Sequence, residues 1–377
     1  MNENSISDII GSDVFSEENT EIPGEHDPFC NSSEYHNYSE NYSDILPYIF
    51  FRSKELSHTP SEYESKKLRH FYNRTGILLS SGIMLKTAIF LILFIISFFA
   101  MKKINPGTGF FEAYVSDYIV KYSFLTVSTV ISSVFVIMTG ARCTGVSPSS
   151  FFKSRNSERT GELLTFFMTA CFITSVNNII NISLSFFTGK EALFRPVFNG
   201  DIKQMLVTIL YNAAVVPICS GLVFQGFVLK NMSRAGQRFG IISTSLLCAL
   251  SCGSIYGIVT GFFMSVLFSK ITIKYNTIFP SVLINMAVTA SNMIIYAFGD
   301  IFYNSDQFIV IIWSALLFLM GIFFTVFSVL KHPLPESLEN QKTRTVRLFF
   351  RSPFILMTVL FYIVIIVTDF CTVFTYF

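Results

Sequence analysis

VVPICSGLVFQGFVLKNM, from Val215 to Met232, and IISTSLLCALSCGSIYGIVTGFFMSVLFSKITIKYNTIFPSVLINMAVTASN, from Ile241 to Asn292, decide the fold. These apolar runs carry small and polar residues at set places, where a plain lipid-facing helix would carry Leu, Ile and Val. The rest of the chain has the same character. It is 51% apolar and only 14% charged, with 43 Phe among 377 residues, and its mean hydropathy is +0.53. A soluble domain has roughly 25% charged residues, so this chain cannot cover its own surface with water-facing groups. It reads as an all-α, polytopic transmembrane helix bundle of about eight or nine spans.

Outward from that stretch, the spans follow by length and hydropathy. They run at about 76–101, 119–140, 163–187 and 202–229, then 277–298, 308–330 and 354–377. Residues 240–269 are ambiguous between one long helix and a hairpin. Charge favours the hairpin. The 299–307 loop carries Asp300 and Asp306 and no cation, whereas the 331–351 loop carries Lys331, Lys342, Arg344, Arg347 and Arg351. These loops alternate sides only if 240–269 crosses twice, turning near Cys252–Ser254, which puts the C-terminus outside. Gly253, Gly257 and Gly261 fall four apart and suit close helix packing in lipid.

Residues 1–51 hold eleven Asp and Glu and no Lys or Arg. Low hydrophobicity and one-signed charge make this an expected disordered tail, although the apolar cluster at 45–51 could dock locally. It is no signal peptide, since early positive charge followed by an apolar core is missing. The 52–75 segment is basic (Arg52, Lys54, Lys66, Lys67, Arg69 and Arg74) and precedes the first span. The positive-inside rule then puts the N-terminus in the cytoplasm of a multi-pass plasma-membrane protein. The domain reading is thus a tail (1–51), a juxtamembrane segment (52–75), a core (76–298) and two C-terminal helices with a basic loop (299–377).

The net charge of +2 carries no signal for nucleic acid, and none is expected as a partner. Seven scattered Cys show neither a disulfide framework nor a zinc spacing. All five His lie outside the apolar spans, which excludes an intramembrane His–metal site or an HExxH protease. No metal and no cofactor are expected. Lys86, about two turns into the first span, is expected to snorkel to the cytoplasmic surface. Asn177, Asn178 and Asn181 form a polar stripe suited to interhelical hydrogen bonding, with cavity lining as the alternative.

From Pro217 onward the chain resembles the CPBP family, the CAAX-protease and bacteriocin-processing (Abi-like) intramembrane endopeptidases. The family's first motif follows a Pro and reads Glu-Glu-x-x-x-Arg. Here Ser220 and Gly221 stand at the glutamates and Gln225 at the arginine, within a matching frame of Phe224 and Gly226. The second motif ends an apolar run in His, and Cys248-Ala249-Leu250-Ser251 leads to Cys252 there, with Ser254 two further on. Gly261 and Lys274-Tyr275-Asn276-Thr277 occupy the places of the family's Gly-containing helix and turn. The third motif is His-x-x-x-Asn. Pro280 to Ile284 reads as its lead-in, with Asn285 and Thr289 in those two places.

The resemblance implies a CAAX-protease-like fold with a dismantled active site. In the family the Glu pair and His activate a water, while Asn and His hold the oxyanion. A general base contributes about 10²–10⁴-fold and an oxyanion donor about 10²–10³-fold. No catalytic residue is expected among the substitutes. The expected role is non-catalytic binding or regulation, with membrane lipids and a membrane-embedded or lipidated peptide or protein as partners. An uncharged polar pocket of Ser220, Gln225, Ser251, Ser254, Asn285, Thr289 and Asn292 would do the binding. Two alternatives stay open: a divergent active endopeptidase using Cys252 or Ser220, and an unrelated transporter-like protein. A Cys or Ser nucleophile needs an adjacent base, and these helices offer none.

Overall fold

The computed structural model describes residues 62–104, 118–152, 160–188, 202–301, 306–331 and 342–375. The acidic segment 1–51, with its apolar cluster at 45–51, lies outside them. All longer elements among the described residues are helices: α1 (Glu62–Ile104), α2 (Tyr118–Thr144), α3 (Thr160–Thr188) and α4 (Ile202–Ser233). Then come α5 (Gln237–Ser251), α6 (Ile255–Tyr275), α7 (Phe279–Ile301), α8 (Asp306–Lys331), the short α9 (Lys342–Phe350) and α10 (Pro353–Thr375). Six of them are long and apolar enough to cross a membrane. Large apolar side chains stand exposed along several helices, Leu319 and Phe323 of α8 at 72% and 70% among them. A bundle solvated by lipid presents such a surface.

The turn between α5 and α6 falls at Cys252–Ser254, where charge alternation put it. Gly253 makes it, with a φ of +70° that side chains rarely adopt. The two helices then run back antiparallel. A Cβ on Gly261 would lie 2.6 Å from Cys252 Sγ and 3.4 Å from Ala249 Cα, so the backbones meet closely. Gly257, Gly261, Ser265 and Ser269, four apart, continue this small-residue face along α6, and Ser265 and Ser269 are buried. Gly253 is not part of that face, contrary to the spacing expectation, because α6 begins only at Ile255.

α1 starts well before the span read from hydropathy. Its first turns enter the core, with Phe71 and Tyr72 buried. The Tyr72 ring lies 6.0 Å from Phe239 of α5 and 5.8 Å from Phe349 of α9. Arg74 Nη1 donates to the Cys143 carbonyl at 2.6 Å and Arg234 Nη2 to that of Thr144 at 3.0 Å. Two guanidiniums thus cap the carbonyl end of α2, where the helix dipole favours cations. α10 is tied to α1 by Ser352 Oγ donating to Asn73 Oδ1 at 2.5 Å and Thr358 Oγ1 to the Gly76 carbonyl at 2.9 Å.

Between α2 and α3 the 3₁₀ turn Pro148–Phe151 drives Phe151 into the centre, leaving it 1% exposed. Its carbonyl accepts from Ile278 N at 3.0 Å and Thr277 Oγ1 at 3.2 Å, locking the α6–α7 connection to this plug. Two of the three α3 asparagines, Asn177 and Asn178, bond across helices as the spacing suggested, whereas Asn181 Oδ1 is buried with no hydrogen-bond partner. Thr260 Oγ1 donates to Asn177 Oδ1 at 2.7 Å and Tyr296 OH to Asn178 Oδ1 at 2.8 Å. At the start of α3, Glu162 Oε2 takes bonds from Lys274 Nζ at 2.5 Å and Tyr275 OH at 3.1 Å. Lys274 and Glu162 are 30% and 15% exposed, so screening trims the pair's worth. Glu162→Ala should lower stability by about 1 kcal/mol, read as a shift of a few degrees in thermal unfolding in detergent. An unchanged midpoint would deny the pair any role in holding α3 to α6.

Candidate functional site

α4 is not a plain α-helix. It widens into π turns at Tyr211–Val215 and Gly221–Val228. In each, an amide reaches five residues back: Val216 N–H to Tyr211 O, and Leu229 N–H to Phe224 O. The first has a cause in Pro217, which has no N–H to give Ala213 and whose ring crowds that carbonyl. The second begins at Gly221, contains Gly226 and covers the Glu-Glu-x-x-x-Arg motif from its second position onward. Such bulges occur often at functional sites. Gly226 sits against the plug, where a Cβ would come 3.0 Å from the Phe151 ring.

α5 and α7 both run antiparallel to this part of α4. Gly240 abuts Ser233, and Gly221 abuts Val282 of α7. Twelve residues from Ser233 back to Gly221, and twelve from Gly240 on to Cys252, are each about 18 Å of helix. Gly221, Cys252 and Val282 therefore lie at a common depth, and Asn285 one turn from it.

Their side chains face different ways. Gly221 meets Val282 Cγ2, which fills the space a side chain there would need, and Gln225 Oε1 is 3.7 Å from that Cβ position. Gln225 is buried at 4% exposure. Ser220 Oγ turns back to the Pro217 carbonyl at 3.3 Å, and Ser251 Oγ to that of Cys248 at 2.6 Å. Cys252 is exposed, with its sulfur near Gly261 and Tyr362 of α10 within electrostatic reach. Ser254 is the N-cap of α6 and makes no side-chain cap bond. Thr289 Oγ1 donates to Asn285 Oδ1 at 3.4 Å along α7, and Asn292 Oδ1 takes Asn178 Nδ2 at 3.4 Å. Two groupings result: Gly221 with Gln225 against α7, and the α7 polar row leading to the α3 asparagines.

The stretch that carries this geometry matches a known family. Residues 202–291, from the start of α4 to most of α7, match type II CAAX prenyl endopeptidase Rce1-like. This segment, about a quarter of the chain, is similar to the CAAX-protease family. No curated protein and no solved structure matches the chain. In CAAX-protease terms the first glutamate position is a serine bonded to its own helix, and the second is a glycine under a valine. Among the described residues no group of three His, Cys, Asp or Glu lies close enough to hold a metal.

Lys86 lies twelve residues beyond Arg74 on α1, about 18 Å along the helix, and is half-buried. Because α1 starts at Glu62 and not at Gly76, it sits deeper along the helix than hydropathy implied.

Proposed function

We propose that this CAAX-protease-like chain is catalytically silent and holds a membrane-embedded or lipidated peptide or protein without cutting it. One observation carries the reading. Where the family places a glutamate pair, this chain has Ser220 and Gly221, and Val282 packs into the space beside Gly221. A serine bonded to its own helix is no base near neutral pH, and a glycine offers no group at all. Members of a catalytic unit are not independently useful, so the substitutions at Gln225, Cys252, Asn285 and Thr289 leave little to salvage. What remains is an uncharged polar surface on α4 and α7, suited to hydrogen-bonding a peptide backbone that lipid leaves unsatisfied.

Lys and Arg at the ends of the spans favour a plasma-membrane orientation with the N-terminus in the cytoplasm. The acidic tail would then meet cytoplasmic partners.

The test is direct. Purified full-length protein in detergent, given farnesylated tetrapeptides ending in a free carboxylate, should release no product above buffer while retaining the labelled peptide in a pull-down. Turnover that disappears in Cys252→Ala or Ser220→Ala would replace this reading with that of a divergent active endopeptidase.

A further inference from the structure

α9 and the start of α10 form a corner that none of the CAAX-protease positions occupies. Its anchor is Phe349, which is buried. The Phe349 ring meets Tyr72 of α1 at 5.8 Å and Phe239 of α5 at 5.7 Å, edge-on in both cases. The α9–α10 junction is held to α1 as well, by Ser352 Oγ donating to Asn73 Oδ1. These contacts fix how α9 is turned about its axis.

A helix turns about 100° per residue, so an inward Phe349 places its neighbours. Arg347 and Arg351, two residues to either side, project from nearly the opposite face. Arg351 lies just past α9, but its N–H donates to the Arg347 carbonyl at 3.0 Å, which carries the helical turn on to it. Both arginines are exposed. Val346 and Phe350 take the flank between, about 60° and 100° from Phe349, and both are exposed too. The apolar surface continues past the corner, where Phe354, Met357 and Leu360 of α10 are exposed in turn. A water-facing helix gains nothing by exposing Val and Phe, and a helix sunk in lipid gains nothing by exposing two guanidiniums. The two faces together suit the boundary between water and lipid.

We infer that this corner binds an anionic phospholipid, its phosphate on Arg347 and Arg351 and its acyl chains along Val346, Phe350 and the exposed strip of α10. Two guanidiniums one turn apart can each offer paired donors to phosphate oxygens. A zwitterionic headgroup brings a cation of its own, which the arginines repel. An acidic protein segment would answer the arginines and leave the apolar flank uncovered, whereas an anionic phospholipid matches both. The site uses no residue of the silent-protease reading, so peptide cleavage, found or not, leaves it unaffected.

The experiment uses the full chain in phosphatidylcholine liposomes doped with one of two photo-crosslinking probes. These are phosphatidylglycerol and phosphatidylcholine, each with a diazirine on an acyl carbon near the glycerol. The phosphatidylglycerol probe should label the segment from Val346 to Leu360 at least about fivefold more than the other, the factor that one arginine near an anionic headgroup contributes. Replacing both arginines, Arg347→Gln with Arg351→Gln, should bring the two probes level, whereas Arg347→Lys with Arg351→Lys should keep most of the preference. Salt at about 1 M shortens the screening length from about 10 Å to about 3 Å and should remove most of it as well. Inorganic phosphate at matched ionic strength should not displace the probe, and displacement would name a free anion and overturn the lipid assignment. The Gln variant should melt like the parent, since it changes exposed side chains only. If it fails to fold, the preference of the unaltered protein and its loss in salt decide alone. Equal labelling by the two probes, a preference spread evenly over the other basic span ends, or a folded Gln variant that labels like the parent overturns the proposal.

Discussion

Gly221→Ala is expected to destabilise the protein by about 1–3 kcal/mol, the usual cost of forcing a methyl into a filled core. The new Cβ would overlap Val282 Cγ2. Val282 cannot swing aside, because a β-branched side chain in a helix has one strongly preferred rotamer. α4 and α7 must separate, or the π turn beginning at Gly221 must shift. Val282→Ala opens the space, so the alanine at 221 should cost far less in that background. The double-mutant cycle should return a coupling of about 1–2 kcal/mol. Gly221→Glu should be worse by several kcal/mol, because it adds a carboxylate with no cation supplied for it. Thermal unfolding of the purified variants in one detergent measures all of these. If Gly221→Ala melts like the parent and Gly221→Glu folds, the space beside residue 221 is open and Val282 does not occupy the place of a catalytic side chain.

Phe151→Ala should be the most damaging of the truncations, at about 3–5 kcal/mol. The ring is 1% exposed and packs on Gly226, with the Lys230 ammonium 5.2 Å from its centroid. Truncation leaves a cavity beside the second π turn and removes the cation–π contact, itself about 0.5–2 kcal/mol. The Phe151 carbonyl bonds to Thr277 and Ile278 belong to the backbone, so they outlast the ring only if the plug stays seated. Phe151→Leu, which refills most of the volume, should recover a large part of the loss. Limited proteolysis between α2 and α3 gives a second reading, since an unseated plug exposes that segment. An alanine variant that melts within error of the parent would mean that the ring does not hold α4 in place.

Much of the fold was legible because a bilayer permits few solutions. Backbone amides in lipid must be satisfied within helices, so apolar runs of sufficient length fix the class. Charge alternation then located the α5–α6 turn at Cys252–Ser254, which hydropathy alone could not do. The small residues of α6 announced a close neighbour for the same reason: only Gly and Ser let two backbones approach so nearly.

The candidate site was legible as a set of positions but not as a geometry. Spacing from Pro217 to Thr289 aligned Ser220, Gly221, Gln225, Cys252, Asn285 and Thr289 with the CAAX-protease motifs, and residues 202–291 match that family. Spacing could not say that Val282 would stand over Gly221 or that Cys252 would approach Gly261 and Tyr362. Nor could it show that Ser220 would bond to its own helix. Facing depends on the rotation of each helix about its axis, and the two π turns of α4 change that rotation within the motif.

The amino-acid sequence by itself determined a helical membrane bundle, its hairpin and the loss of ionisable groups at the family positions. These follow from local composition and period. Only the tertiary structure decided which groups meet: Phe151 with Gly226, Glu162 with Lys274, and Val282 with Gly221, residues far apart in the chain. The physical reason is that lipid selects helices one segment at a time by their apolar length. The partner of a half-buried lysine such as Lys274 is set instead by the packing of several helices at once.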